Sequence, residues 1–164
     1  MSKSVINIDP NIIADYILKF AYDRGQEITN LRLQKLVYYV EAWYMANYDD
    51  ALFEEDYEAW IHGPVLRSLY NKFRKFKSEP IVIKSSVVYP ALPKKLQEIL
   101  EEVMGVYGEL KMWQLERLVH SEKPWKDARR GISDLEPSVV IIGKDSIRSY
   151  YRSLIDAKAK KIKS

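Results

Sequence analysis

Apolar residues recur along this chain mainly at helical spacing. Ile12, Ile13, Tyr16, Ile17 and Phe20 mark a first helix, and Gly25 ends it. Asp9 is placed as its N-cap and Pro10 as its first helical residue, where a missing N–H costs nothing. Thr29 or Asn30 caps a second helix that reaches about Asn47. Here Leu31, Leu33, Leu36, Val37, Tyr38, Tyr39, Val40, Trp43, Tyr44 and Met45 cover most of the circumference. A helix apolar nearly all round is enclosed by others, so residues 30–46 are expected to form the centre of the core.

Beyond an acidic loop over Asn47–Asp56, the aromatic run Tyr57–His62 reads as a short strand that stops at Gly63-Pro64. Pro64 is expected to start a helix whose inner stripe is Val65, Leu66, Leu69, Tyr70 and Phe73. Ile81–Ile83, continuing towards Val87–Tyr89, reads as a second strand pairing with the first. Two strands alone are marginal in water, so the hairpin must lie on helices. Pro93 opens a helix through Leu96, Ile99, Leu100, Val103 and Met104, which Gly105 and Gly108 break. Another follows over Met112–Ser121 through Trp113, Leu115, Leu118 and Val119. Pro124 restarts a short one with Trp125 and Ala128, and the last runs from about Lys144 to Lys158. The expected fold is mainly α: a compact multi-helix domain around the central apolar helix, with a small two-stranded β-hairpin (about 57–62 and 81–89). One domain over 1–156 and a Lys-rich flexible tail over 157–164 complete the reading.

Composition narrows the function. The chain has 164 residues, the length of one ordinary domain, and zero Cys. That excludes a disulfide framework, a thiolate metal site and a cysteine nucleophile. Without a long apolar run or a leader-like N-terminus, the expectation is a cytoplasmic protein with no membrane association. The net charge of +3 is misleading. Removing the four tail lysines leaves 22 basic against 23 acidic residues, so a lysine tail sits on a nearly neutral body. Within that body Glu41–Glu58 holds seven acids and no Lys or Arg, and Arg67–Lys84 holds six basic residues against Glu79 alone. Such segments neutralise each other across a fold or act as the two ends of a steering field.

Enzyme signatures are nearly absent. No phosphate-cradling Gly-rich loop, G-x-S-x-G turn or H-E-x-x-H pair occurs. The two histidines, His62 and His120, are far apart and neither has a second ligand at helical spacing, so no metal site and no cofactor are expected. His62 reads as a hydrogen-bonding residue fixing the Gly-Pro turn, and His120 as a partner of helix-terminal carbonyls. The basic segment and tail could touch phosphates, yet no basic recognition helix is present, which disfavours nucleic acid as a partner.

Four local clusters stand out. Leu31-Arg32-Leu33-Gln34-Lys35-Leu36-Val37-Tyr38-Tyr39 places Gln34 and Lys35 in an apolar helix, either on its solvent-facing edge or as acceptors of a partner. Glu58-Ala59-Trp60-Ile61-His62-Gly63-Pro64-Val65 is a strand-to-helix corner. Trp113-Gln114-Leu115 with His120-Ser121-Glu122-Lys123-Pro124-Trp125, and Lys126-Asp127-Ala128-Arg129, complete the set. Trp60 and Trp125 read first as core aromatics, and as interface anchors if partly exposed.

In this order and spacing the clusters resemble the Panacea domain, the family of phage-associated SocA-like and GepA-like proteins, over roughly Asp15 to Tyr151. Phe53 and Leu69-Tyr70 also match. The resemblance implies an antitoxin of a two-gene, often prophage-borne toxin–antitoxin system, which neutralises a cognate toxin by direct protein binding and not by catalysis. The toxin would be the product of an adjacent gene. Some members act instead as adaptors that deliver a toxin to a protease. On that reading the partner-binding residues are Gln34, Lys35, the exposed edges of Tyr38 and Tyr39, and Trp60, His62, Pro64 and Trp125 around them. The alternatives are a nucleic-acid-binding regulator using the 67–84 segment and tail, and a small enzyme with His62 as acid or base. A homo-oligomer is left open.

Overall fold

The computed structural model describes residues 4–163. Helix α1 (Pro10–Asp23) starts where Asp9 accepts the Asn11 N–H at 2.9 Å, with Pro10 as the first helical residue. Thr29 caps α2 (Asn30–Tyr48), accepting from the Arg32 N–H at 3.3 Å, and Asp49 closes it in the left-handed conformation. The remaining elements are β1 (Tyr57–Trp60), β2 (Gly63–Val65), α3 (Arg67–Phe73) with a 3-10 turn at Arg74–Phe76, α4 (Lys94–Val106), α5 (Met112–Ser121), α6 (Lys123–Ala128), β3 (Ile141–Ile142) and α7 (Lys144–Lys163). The fold is mainly α with a small antiparallel sheet.

Helix α2 is the central element the pattern predicts. It packs against α1, α3, α4, α5, α7 and β2, and Leu33 to Ala42 are buried without a break. The helix α7 lies along it, burying Ile147 and Tyr151. Two α7 arginines serve the C-terminal end of α2: Arg148 Nε donates to the Asp49 carbonyl at 2.9 Å and Arg152 to that of Ala46 at 3.0 Å. Cationic donors there satisfy orphan carbonyls and oppose the negative dipole end. The helix α7 runs on to Lys163, past the end expected near Lys158.

The hairpin exists, but its second strand is not the expected one. β1 pairs with β2 through the two-residue turn Ile61-His62, in the register Glu58↔Val65, Ala59↔Pro64 and Trp60↔Gly63. Pro64 therefore sits in a strand and does not open a helix. This is tolerated because β2 is an edge, where a missing N–H breaks no ladder. Residues 81–89 form no strand. Ile81 donates instead to the Ile28 carbonyl at 2.8 Å, and Thr29 bridges Pro80, so this extended stretch runs beside the entry to α2. A third strand, β3, pairs with the other side of β1 (Tyr57↔Ile142, Glu58↔Ile141), giving the order β2-β1-β3.

Candidate functional site

The polar residues of α2 point inward. Gln34, Lys35, Tyr38 and Tyr39 are all buried, which corrects the expectation of a contact edge. Neighbouring elements cover the helix on every side from Leu33 to Ala42, so solvent reaches it only near its ends, at Leu31, Arg32, Trp43, Asn47 and Tyr48. Gln34 works as a strut: its carbonyl accepts the Leu66 N–H at 2.9 Å while its amide donates to Asn30 Oδ1 at 2.9 Å. Asn30 in turn donates to the Tyr70 carbonyl at 3.0 Å. Together they fix the joint between β2 and α3, meeting the free N–H that begins α3.

Lys35 is 1% exposed. Its Nζ reaches the Leu31 carbonyl only at 3.5 Å, and burial pushes its pKa down to about 8, against the pull of Glu116. Its stem fills the space beneath Gly63. A Cβ there would lie 3.2 Å from Lys35 Cε and 3.1 Å from Val119 Cγ1, and the backbone φ is +127°. Both facts require glycine at this position.

Tyr38 and Tyr39 belong to a buried aromatic cluster. The Tyr39 and Tyr151 hydroxyls donate to Glu122 Oε1 at 2.6 and 2.8 Å, and the Tyr38 and Tyr151 oxygens are 3.3 Å apart. Tyr39 stacks on Tyr107 at 3.9 Å. Burial raises the Glu122 pKa, and the two tyrosine hydrogen bonds oppose that rise. A second buried carboxylate, Glu41, takes the Leu52 N–H at 2.8 Å and Lys144 Nζ at 3.0 Å. These groups hold elements together. Among the described residues no cluster of three or more His, Asp or Glu is placed to bind a metal ion, and no helix is long and apolar enough to cross a membrane.

What reaches solvent is the β1–β2 turn. His62 is exposed, and its Nδ1 lies 3.0 Å from Glu116 Oε1 on α5. Trp60 is half-buried. Its indole N–H donates to Glu58 at 2.9 Å, its ring meets Tyr70 edge-on at 4.7 Å, and its carbonyl accepts the Trp125 N–H at 2.8 Å. Pro64 and Trp125 are buried. His120 stacks on Trp125 at 3.9 Å and hydrogen-bonds the Ile61 backbone in the β1–β2 turn rather than a helix-terminal carbonyl, and burial lowers its pKa. Arg129, also buried, donates to the Ala59 carbonyl at 2.9 Å and to those of Ser133 and Glu136. Tertiary structure thus gathers Lys35, Trp60, His62, Pro64 and Trp125 around one turn. Tyr38 and Tyr39 lie in the separate Glu122 cluster.

Trp113 was expected on the inner stripe of its helix, yet it is 59% exposed. Helical geometry explains this and could have shown it. Trp113 lies across the wheel from Leu115 and shares a face with Glu116, Arg117 and His120 at i+3, i+4 and i+7. The basic 67–84 run is partly neutralised. Arg67 forms a two-pronged pair with Glu58 at 2.7 and 2.8 Å, which lowers the Glu58 pKa, and Lys72 donates to Asn11 at 2.8 Å.

The family model described as Antitoxin SocA-like, Panacea domain, matches residues 33–126, the stretch from α2 through the β1–β2 turn to α6. Antitoxin SocA of Caulobacter vibrioides (strain NA1000 / CB15N) is 27% identical over 130 residues, covering 73% of this chain and 69% of that protein. No solved structure gives a match.

Proposed function

The chain belongs to the SocA-like Panacea-domain antitoxin family, and on that premise we propose that it neutralises a cognate toxin by direct protein–protein binding. The contact would lie on the β1–β2 turn and the adjoining outer face of α5. One observation carries the choice of surface. Gln34 and Lys35, both in the family-matched segment, together with Asn30 just before it, brace this turn and the start of α3, and the braced turn displays exposed His62 paired with half-buried Glu116, which shares α5 with exposed Trp113. A rigid surface with a protruding Trp is the type that dominates interface energies. The partner would be the product of an adjoining gene, and the action stoichiometric, without turnover.

Coexpression tests this. The adjoining product is expected to stop growth alone and to be harmless with the wild-type chain. Replacing both His62→Asp and Trp113→Asp should abolish rescue while the melting temperature stays near wild type. A neighbour that is harmless alone, or one that stays toxic inside a stable complex, defeats the reading. The toxin's half-life in the same cells separates the two modes: it is unchanged under occlusion and shortened under delivery to a protease.

A further inference from the structure

A cleft of about 290 Å³ opens between α1, the extended stretch at Tyr89 and α4. Tyr16, buried to 4% exposure, closes its inner end, with the Tyr89 ring at 4.8 Å and the Phe20 ring at 6.5 Å. Two opposite charges border this space with capacity to spare. Glu101 on α4 accepts the Tyr16 hydroxyl at 3.3 Å and the Gln97 amide at 3.2 Å, both through Oε1, while among the described residues Oε2 has no hydrogen-bond partner. Arg24, just past the end of α1, holds its guanidinium 3.3 Å from the centre of the Phe20 ring and donates to the Phe20 carbonyl at 3.1 Å. Both contacts orient the cation and neither neutralises it. Asp23, the neighbouring carboxylate, is committed to Lys19 at 2.6 Å and to the Tyr89 hydroxyl at 2.9 Å. The two charges act on one group: burial and then Glu101 raise the Tyr16 pKa, and Arg24 opposes them.

We propose that this cleft binds an α-amino acid as its zwitterion, the carboxylate on Arg24, the ammonium on Glu101 Oε2 and an apolar side chain against the rings of Phe20 and Tyr89. The charges select this class. An anion alone would meet Glu101 as well as Arg24, and a cation alone would meet Arg24 as well as Glu101. A compact ligand carrying both signs turns each wall group into a charge-assisted hydrogen bond, the stronger kind. The aromatic walls favour an apolar side chain. A guanidinium already stacked on a ring loses little freedom when it takes up a carboxylate. Small-molecule sites begin near roughly 300 Å³, so the space suits one amino acid and no larger ligand. The cleft shares no residue with the β1–β2 turn or α5.

Titration of the full chain with L-leucine and with L-phenylalanine tests this without any toxin and so separately from the antitoxin reading. At least one is expected to bind with a Kd on the order of 0.1–1 mM, as suits a small ligand in an open cleft. The Tyr16 and Tyr89 ring signals in NMR should shift in step. The N-acetyl derivative of the tighter binder lacks the ammonium and its amide lacks the carboxylate, so each should bind roughly tenfold more weakly. Arg24→Gln should weaken the free amino acid by a similar factor yet leave the amide unaffected. Glu101→Gln should do the same and leave the N-acetyl derivative unaffected. Both positions are exposed, so the melting temperature of each variant should stay at the wild-type value. No binding of either amino acid at tens of millimolar overturns the proposal. So does a capped derivative that binds as tightly as its parent, and so does an affinity that both substitutions leave intact.

Discussion

The two edges of one small sheet are finished in opposite ways. β2 is closed: Gly63, Pro64 and Val65 are all buried against α2 and α5, and Pro64 removes a donor that could recruit another strand. β3 is open, neutral and apolar. The contrast shows how a sheet too small to stand alone divides its duties. One edge is fused to the helical core and holds the displayed turn in place, while the other keeps its hydrogen-bonding capacity available.

The largest effect should come from the residue that ties the central strand to the loop leading into β3. Arg129→Met keeps much of the side-chain volume but leaves the Ala59, Ser133 and Glu136 carbonyls without their charged donor. We expect a loss of about 3–5 kcal/mol in chemical denaturation, with early exchange of the β3 amides. An unchanged midpoint would mean that the sheet is held by packing alone. At the closed edge, Gly63→Ala forces a side chain into a φ of +127° and against Lys35 and Val119. A loss of about 2–4 kcal/mol is expected, with His62 displaced from Glu116.

Beneath that edge, Lys35→Met should stabilise the protein by about 1–3 kcal/mol at pH 7, because it removes a poorly paired buried ammonium. The sign follows from linkage. The pKa of folded-state Lys35 is about 8 against an ordinary 10.5, so between these values the unfolded chain holds more protons and wild-type stability rises with pH. Below pH 8 both states are protonated and the full penalty applies. The difference between variant and wild type should therefore shrink from pH 8 to 10.5, and a flat difference would refute the burial effect. The smallest change belongs to His62→Ala, whose exposed pair with Glu116 should contribute under about 0.5 kcal/mol. Its effect should appear in toxin neutralisation and not in thermal melting.

The helices were legible because their signals are local. Asp9-Pro10, the uniform apolarity of α2 and the spacing Leu96, Ile99, Leu100, Val103 each sit within a few turns of chain. The sheet was not. Ile81-Val82-Ile83 has better strand chemistry than Gly63-Pro64-Val65, yet it pairs with the entry to α2, and the Val139–Ile142 run gave no hint of its partner. The candidate site was half legible. The Trp60–Pro64 corner and Trp125 do converge, but whether Gln34 or Tyr39 faced a partner or the core depended on what packed over them.

The amino-acid order alone determined a mainly helical protein with α2 at its centre, and it carried the ordered clusters by which the family can be known. Tertiary structure decided which strands pair, that the polar side chains of α2 act as internal braces, and that His62 and Trp113 face water. The reason is range. Helix formation and capping are settled by neighbours three or four positions away. The partner of a strand edge, or of a buried amide, is supplied by residues tens of positions distant, as Leu66 is to Gln34 and Ile142 to Tyr57.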